Sequence, residues 1–360
     1  MRVLMLNWRD FANPRAGGAE LVTLRVLEGL AEMGCEVEWF SSSYPGAQLE
    51  EERNGVRYIR RGSELSVRLH AAIRYRGTQS FDIVIDQINT LPFWAALYMR
   101  VPVVAYFHQL AREVWLYERG NVVGSIGALA ERLYLLPYKR APIITVSDSS
   151  AASLRDYGLN GPIRVIVGCV DEKPDENLIP KLPPYDIAVV GRIVRSKRIE
   201  HCIEAADILS DRGWCGRLVV VGNGEPSYVH SLKVRGQEAL GDRIVFKGFV
   251  SAAERSAILR AVSCLWVTSV REGWGLVVTE AARHGTPAVA YRVPGLVDSI
   301  EDGITGMLVD PRPFRLAEAT EKLFADGLNQ MGANALKASL ELSWSKTVNQ
   351  FHTALQDYLK

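Results

Sequence analysis

Two carboxylates, Glu272 and Glu280, are separated by seven residues in the stretch REGWGLVVTEAARHGTPAVA (271–290), directly after the apolar run CLWV. Gly273 and Gly275 permit a sharp turn there, which predicts Glu272 in a loop and Glu280 within the first turns of a helix, both toward one crevice. Carboxylates so placed accept hydrogen bonds from the hydroxyls of a sugar or a ribose. The alternative is a solvated loop residue and a helix-surface residue, but Val277, Val278, Ala281 and Ala282 leave little room for a solvated Glu280.

A second constellation is VVGRIVRSKRIE (189–200), an apolar run ending in Gly191 and followed by Arg192, Arg195, Lys197 and Arg198. Cations at the carboxyl end of a strand lie where open α/β sheets bind ligands, and they suit a diphosphate. A solvated helix start is the other reading, although cations at a helix N-terminus oppose its dipole. In AGGAE (16–20), Gly17 and Gly18 let backbone amides approach a phosphate at a helix start. This is neither G-x-G-x-x-G nor a Walker loop, which counts against nicotinamide and ATPase readings, and a tight strand-to-helix turn explains the pair equally well. VVVGNGEP (219–226) offers another such turn through Gly222 and Gly224, and His108 closes the apolar run VVAYF, as either a packed strand-end residue or a reacting-site group.

The elements that must position these residues are short β-branched runs alternating with helical periods, which predicts parallel sheets with crossover helices. The expected strands are 2–7, 36–41, 56–60, 83–86, 101–107, 143–146 and 163–167, then 186–190, 217–221, 243–247, 264–267, 288–290 and 307–309. A helix over 19–33 repeats leucines at 21, 24, 27 and 30. The fold class is therefore α/β with two doubly wound, Rossmann-like halves. They are read as a domain over 1–170, a linker over 171–185, a domain over 186–342 and a terminal helix over 343–360 that is free to cross back to the first half. The linker DEKPDENLIPKLPPY holds four Pro and six charged residues, a composition that nucleates neither a helix nor a central strand.

At 360 residues the chain is long enough for two cores. With 42 Lys and Arg against 41 Asp and Glu it has no global field for nucleic acid. Five scattered Cys (35, 169, 202, 215, 264) with no C-x-x-C pair read as reduced core residues. No apolar stretch is long enough to span a bilayer, and the apolar run near the N-terminus is too short for a signal-peptide core, so a cytoplasmic location is expected. There is no D-x-D pair, and no histidine has metal-ligand spacing, so no metal is expected.

Taken together and in this order, GGAE, GRIVRSKR, VGNGE, VFKGFV and EGWGLVVTEAARHGTPAVA resemble the motif set of the retaining family-4 glycosyltransferases of GT-B fold, two Rossmann-like domains facing across a cleft. The resemblance covers nearly the whole chain and is loosest over 44–160. It implies a nucleoside-diphosphate sugar as co-substrate with no further cofactor, and transfer of a hexose to a hydroxyl acceptor with retention. Donor binding falls to Gly17, Gly18, Gly191, Gly222, Gly224, the Gly248, Phe249 and Val250 segment beside the nucleobase, and Gly273, Trp274, Gly275, Leu276 and Glu280, the last on the ribose. Catalytic roles fall to His108, Arg192, Lys197 and Glu272, the two cations neutralising the departing diphosphate. Gln109 stands where many members have Asp. Closure about the 171–185 linker is implied to complete the site.

On the acceptor side, Asp10, Gln109 and Arg112 are the candidates, with HQLAREVWLYERG (108–120) read as a loop. Seven Arg and one acidic residue, Glu64, lie between 53 and 76, which suits a phosphorylated acceptor, an anionic membrane surface on the inner face or a merely solvated surface. The acceptor is a glycan or glycolipid, lipid-linked forms included, or a soluble metabolite. Polysaccharide biosynthesis is the role the family most often implies. A GT-B epimerase or phosphorylase, or a sugar-nucleotide-binding protein without turnover, are the alternatives.

Overall fold

The computed structural model describes all residues, Met1–Lys360, and divides them into two compact units. The first comprises 1–112, 125–169 and 342–360, and the second 113–124 and 170–341.

In the first unit, strands β1 (Arg2–Leu6), β2 (Glu36–Ser41), β3 (Glu50–Arg53), β4 (Val56–Arg60), β5 (Ile83–Ile88), β6 (Val103–Phe107), β7 (Ile143–Thr145) and β8 (Ile163–Val165) form one sheet in the order β3-β4-β2-β1-β5-β6-β7-β8. All pairings are parallel except β3 with β4. Strands such as VLML and IVIDQI are buried along their length, as a parallel sheet covered on both faces requires. β3 was not expected from sequence. Its residues, EEER, have no apolar alternation, and the strand forms at the sheet edge, where charge is tolerated and Glu50 pairs with Arg57 and Arg61 of the neighbouring segment.

The helices of this unit are α1 (Gly18–Glu32), α2 (Val67–Tyr75), most of α4 (Asn121–Tyr134) and α5 (Asp148–Asp156), while α3 (Arg112–Arg119) begins at its edge. Residues 113–124 of α3 and α4 group with the second unit, contrary to a first domain running unbroken to 170. The segment read as a loop over 108–120 is helical from Arg112. It buries none of its side chains fully, and at eight residues it is too short for its amphipathic pattern to stand out from a loop in the sequence.

The second sheet runs β11-β10-β9-β12-β13-β14, all parallel, from β9 (Ile187–Val190), β10 (Leu218–Val221), β11 (Ile244–Gly248), β12 (Cys264–Val267), β13 (Ala288–Tyr291) and β14 (Gly306–Val309). Its helices are α6 (Ile199–Asp211), α7 (Pro226–Leu240), α8 (Ala252–Ala261), α9 (Leu276–Ala282), α10 (Leu296–Ser299), α11 (Pro313–Ala325) and α12 (Leu328–Ser339). Residues 171–185 form no helix or strand but are anchored on this unit. Asp175 binds Arg260 and His284, and the Lys181 amide donates to Asn329.

The last helix, α13 (Trp344–Leu359), is capped by Ser343 and returns to the first unit. Phe351 meets Tyr106 edge to face at 5.3 Å, Thr347 donates to the Val167 carbonyl, and Val348 fills the space left by Gly29. Burial of Phe351 and Leu355 stabilises this return by about 1.5–3 kcal/mol each. No helix is long and apolar enough to cross a membrane.

Candidate active site

Each sheet has a point where strand order reverses, and ligands of open α/β sheets bind in the crevice outside that point. In the second unit it lies between β9 and β12. A cleft of about 350 Å³, including the solvent-open space at its mouth, is lined there by Gly191, Arg192, Lys197, Thr268, Ser269 and Glu272, over a floor of Val189, Val220 and Trp266.

Backbone geometry makes this crevice. Gly191 has φ +149°, and a Cβ on Gly222 would sit 1.8 Å from the Gly191 carbonyl oxygen. One on Gly224 would sit 2.0 Å from that of Ile193. Gly222 and Gly224, expected to meet the donor, let the chains after β9 and β10 pass in contact, and neither is part of this cleft's lining.

Two loops are laced together at its rim. Val270 donates its amide to the Ser196 carbonyl, Thr268 Oγ1 donates to the Lys197 carbonyl at 2.6 Å, and the Arg198 guanidinium reaches back to the carbonyls of Thr268 and Ser269 at 2.7 and 2.6 Å. Arg198 is thus buried and spent on backbone, while Arg195 stacks on Tyr228. Of the four expected cations, Arg192 and Lys197 line the cleft. The ammonium of Lys197 pairs with Glu272 Oε1, which also accepts from Ser269 Oγ at 2.6 Å. Arg192 is exposed and makes no ion pair. An anion entering here meets one unpaired guanidinium and one ammonium that it must share with a carboxylate.

Gly273 and Trp274 follow in the turn, with the indole N–H donating to Thr279 Oγ1 at 3.0 Å. Gly275 (φ +89°) caps α9 and Leu276 opens it. The turn is held from below by Gly295, where any Cβ would lie 2.3 Å from the Glu272 carbonyl oxygen. Glu280, on α9, lies outside the cleft lining and is buried. Its Oε2 meets Arg255 Nε at 3.2 Å, and Arg255 also binds Glu172. Burial raises its pKa to about 7 against the pull of Arg255, with Glu172 and Asp171 adding to the rise. Gly248 ends edge strand β11 and Phe249 and Val250 follow it, Phe249 strongly exposed, and none of them lines the cleft.

In the first unit the reversal lies between β1 and β5, with the N-terminus of α1 alongside. Gly17 is the extended N-cap, and its amide donates to Glu20 Oε2 at 2.8 Å. Gly18 opens the helix, where first-turn amides have no intrahelical acceptor. Glu20, fully buried, is held by Arg9 and Asn89, each at 2.9 Å. Beside it, Thr23 Oγ1 donates to Gln87 Oε1 at 2.8 Å, and the Gln87 amide nitrogen donates to His108 Nε2 at 3.0 Å. His108 therefore carries its proton on Nδ1, and burial, with Arg9 nearby, pushes its pKa down to about 3.

The acceptor-side expectations fare differently. Asp10 is fully buried and consumed by Arg60 Nε at 2.5 Å, Ser41 Oγ at 2.8 Å and the Ala12 amide, so it shapes the 8–13 loop and is not open to a ligand. Arg112 lies over the Tyr157 ring, its amide donating to Glu131. Gln109 is half-buried with its Oε1 unpartnered. Sequence reading missed Thr268, Ser269, Gln87 and Arg255. The first two directly follow an expected strand, which was the available signal; the other two are recognisable only once the chain is folded.

Two family models match the chain in succession, glycosyltransferase family 4 over residues 16–173 and glycosyl transferases group 1 over 170–338. Among curated proteins it is 32% identical to the alpha-D-kanosaminyltransferase of Streptomyces kanamyceticus over 55% of this chain and 46% of that one. It spans about half or less of the length of the first such relatives it matches. Among solved structures it is similar to a sucrose-phosphate synthase from Thermosynechococcus elongatus (TM-score 0.80, 21% identity, 99% and 98% of the chains). It is also similar to an Anabaena protein crystallised with UDP-glucose (TM-score 0.75, 18% identity, 99% and 100%). The fold is GT-B, and the chain belongs to the group 1, family 4 glycosyltransferases.

Proposed function

We propose that this protein transfers a hexose from a nucleoside-diphosphate sugar to a hydroxyl acceptor with retention at the anomeric carbon and without a metal. The observation that carries the reading is the convergence of Arg192, Lys197 and Glu272 on one cleft at the β9/β12 reversal. The donor diphosphate binds Arg192 and Lys197 and frees Glu272 to accept from the sugar hydroxyls. The bond from the anomeric carbon to the diphosphate oxygen breaks, and the acceptor oxygen bonds to that carbon on the same face. Its proton passes to the departing phosphate oxygen, whose charge the two cations stabilise. Neutral His108 serves as a hydrogen-bonding group toward the sugar and not as a charged acid. The UDP-glucose held by the Anabaena protein of the same fold supports a donor of this class.

The test is nucleoside-diphosphate release from UDP-, GDP- and ADP-sugars, with and without a chelator and with candidate hydroxyl acceptors, for wild type, Lys197→Ala and Glu272→Ala. Chelator-insensitive release from one donor, lost in both variants, is the expected result. Wild-type rates from Lys197→Ala would refute the assigned role, and release lost with chelator would refute metal independence.

A further inference from the structure

Amphipathic helices ordinarily turn their apolar stripe inward. On α4 and its continuation the arrangement is reversed. Leu135 and Tyr138 are buried, as is the carboxylate of Glu131, which accepts from the Ala111 and Arg112 amides. Ile126, Leu129, Leu133 and Leu136, at helical spacing, are 60–64% exposed. On α2, Val67, Ala71 and Tyr75 pack inward, while Leu69 and Ile73, with Leu65 just before the helix, are 62–91% exposed. The two helices are tied to one connecting segment of the first unit. Arg68 of α2 donates to the Leu91 and Pro92 carbonyls, and two residues later Trp94 Nε1 donates to the Tyr134 carbonyl at the end of α4. Leu91 and Leu97, both exposed, belong to this connecting segment.

Charge on these segments has one sign. Arg74, Arg76, Arg100, Arg132, Lys139 and Arg140 are exposed and none is in an ion pair. Residues 65–76, 91–100 and 125–140 contain a single acid, the buried Glu131. Exposed aliphatic rows set among unpaired cations match neither an ordinary solvated face nor an isologous contact between two copies, which would set cation against cation. They match a bilayer surface whose headgroups are anionic and whose acyl boundary accepts the leucines.

We propose that this face of the first unit docks the protein onto anionic lipid bilayers, with the α2 and α4 aliphatic rows in the interface and the six cations against the headgroups. The inference does not rest on the transfer chemistry, because docking is read without donor or acceptor.

The test is cosedimentation of the full chain with phosphatidylcholine vesicles made with and without phosphatidylglycerol. Binding is expected only to the anionic vesicles and is expected to weaken with salt. Arg132→Gln with Arg140→Gln should lower the partition coefficient about 25-fold, at about fivefold per cation. Leu129→Gln with Leu133→Gln should abolish sedimentation while leaving the unfolding temperature unchanged, since both side chains are exposed. The pair Leu69→Gln and Ile73→Gln provides the same test on the other helix. Equal binding to neutral vesicles, no binding to either, or wild-type partition in these variants would overturn the proposal. So would a dimer in solution that the leucine variants dissociate while vesicle binding is absent, which would assign the face to a second copy.

Discussion

In the first unit the crevice at the β1/β5 reversal is filled by the protein's own polar side chains, with Glu20 holding Gly17, Arg9 and Asn89, and Gln87 bridging Thr23 and His108. In the second, the equivalent crevice at the β9/β12 reversal is open, and the groups at its rim are an unpaired Arg192 and a Lys197 shared with Glu272. The two sheets share a topological principle, yet in one crevice the protein's own side chains pair with one another, leaving only Asn7 Nδ2 and Arg9 Nε without a hydrogen bond, and the other leaves charge to be satisfied by a ligand. A low-dielectric network of the first kind fixes side-chain orientation, and an open cation pair of the second kind supplies binding energy. The proposed division of labour, orientation in one unit and charge stabilisation in the other, follows from that difference.

The sharpest way to break the comparison is to damage each unit by its own mechanism. Asp10→Ala in the first unit should cost about 1.5–3 kcal/mol of stability, because it removes one of the two carboxylates that hold the buried Arg60 guanidinium and leaves Glu51 as the other; chemical denaturation measures it. Lys197→Ala in the second should lower kcat by roughly 10²–10³, about 3–4 kcal/mol, with the unfolding midpoint nearly unchanged. If both substitutions act on stability alone, the two crevices do not differ as argued.

Gly224→Ala should destabilise the second unit by about 1–3 kcal/mol, since its Cβ would overlap the Ile193 carbonyl, and should lower activity only as far as the fold is lost. Thermal unfolding beside single-turnover rates would separate the two effects.

A dependence on pH is also expected. A carboxyl whose pKa rises from 4.5 to about 7 on folding binds its proton more tightly in the native state. Glu280 therefore makes stability fall as pH climbs from about 4.5 to 7, by up to about 3 kcal/mol, and level off above. If its carboxylate accepts from the donor ribose, donor affinity changes in the opposite sense, weakening roughly tenfold between pH 8 and 6. Glu280→Gln should flatten both profiles. His108, with its pKa pushed down to about 3, adds no inflection between pH 5 and 8, and an imidazole titration seen there by NMR would overturn the bond pattern drawn around it.

Much of the fold was legible because parallel strands buried on both faces must be short and apolar, so runs such as IVID, CLWV and AVA announce themselves. What failed to announce itself lacked that constraint. The edge strand EEER gains its hydrogen bonds from β4 and has no face to bury, and α3 buries none of its side chains fully. At the site, the glycine turns and the Arg192, Lys197 and Glu272 triplet were legible as strand-end chemistry. Asp10 was misread because an acidic residue in a polar loop looks the same in sequence whether it faces a ligand or a buried arginine.

The sequence by itself determined which segments become strands, where charge gathers at their carboxyl ends and which family the motifs resemble, since local periodicity and residue spacing carry that information. Tertiary structure alone decided that Gly222 and Gly224 serve backbone contact, that Arg198 is spent on carbonyls while Arg192 is not, and that Gln87 fixes the tautomer of His108 while burial keeps it neutral. It also decided that the leucines of α4 face outward. Each of these depends on which groups meet across tens to hundreds of residues, and burial and pairing, not residue type, set what a charged or polar side chain is free to do.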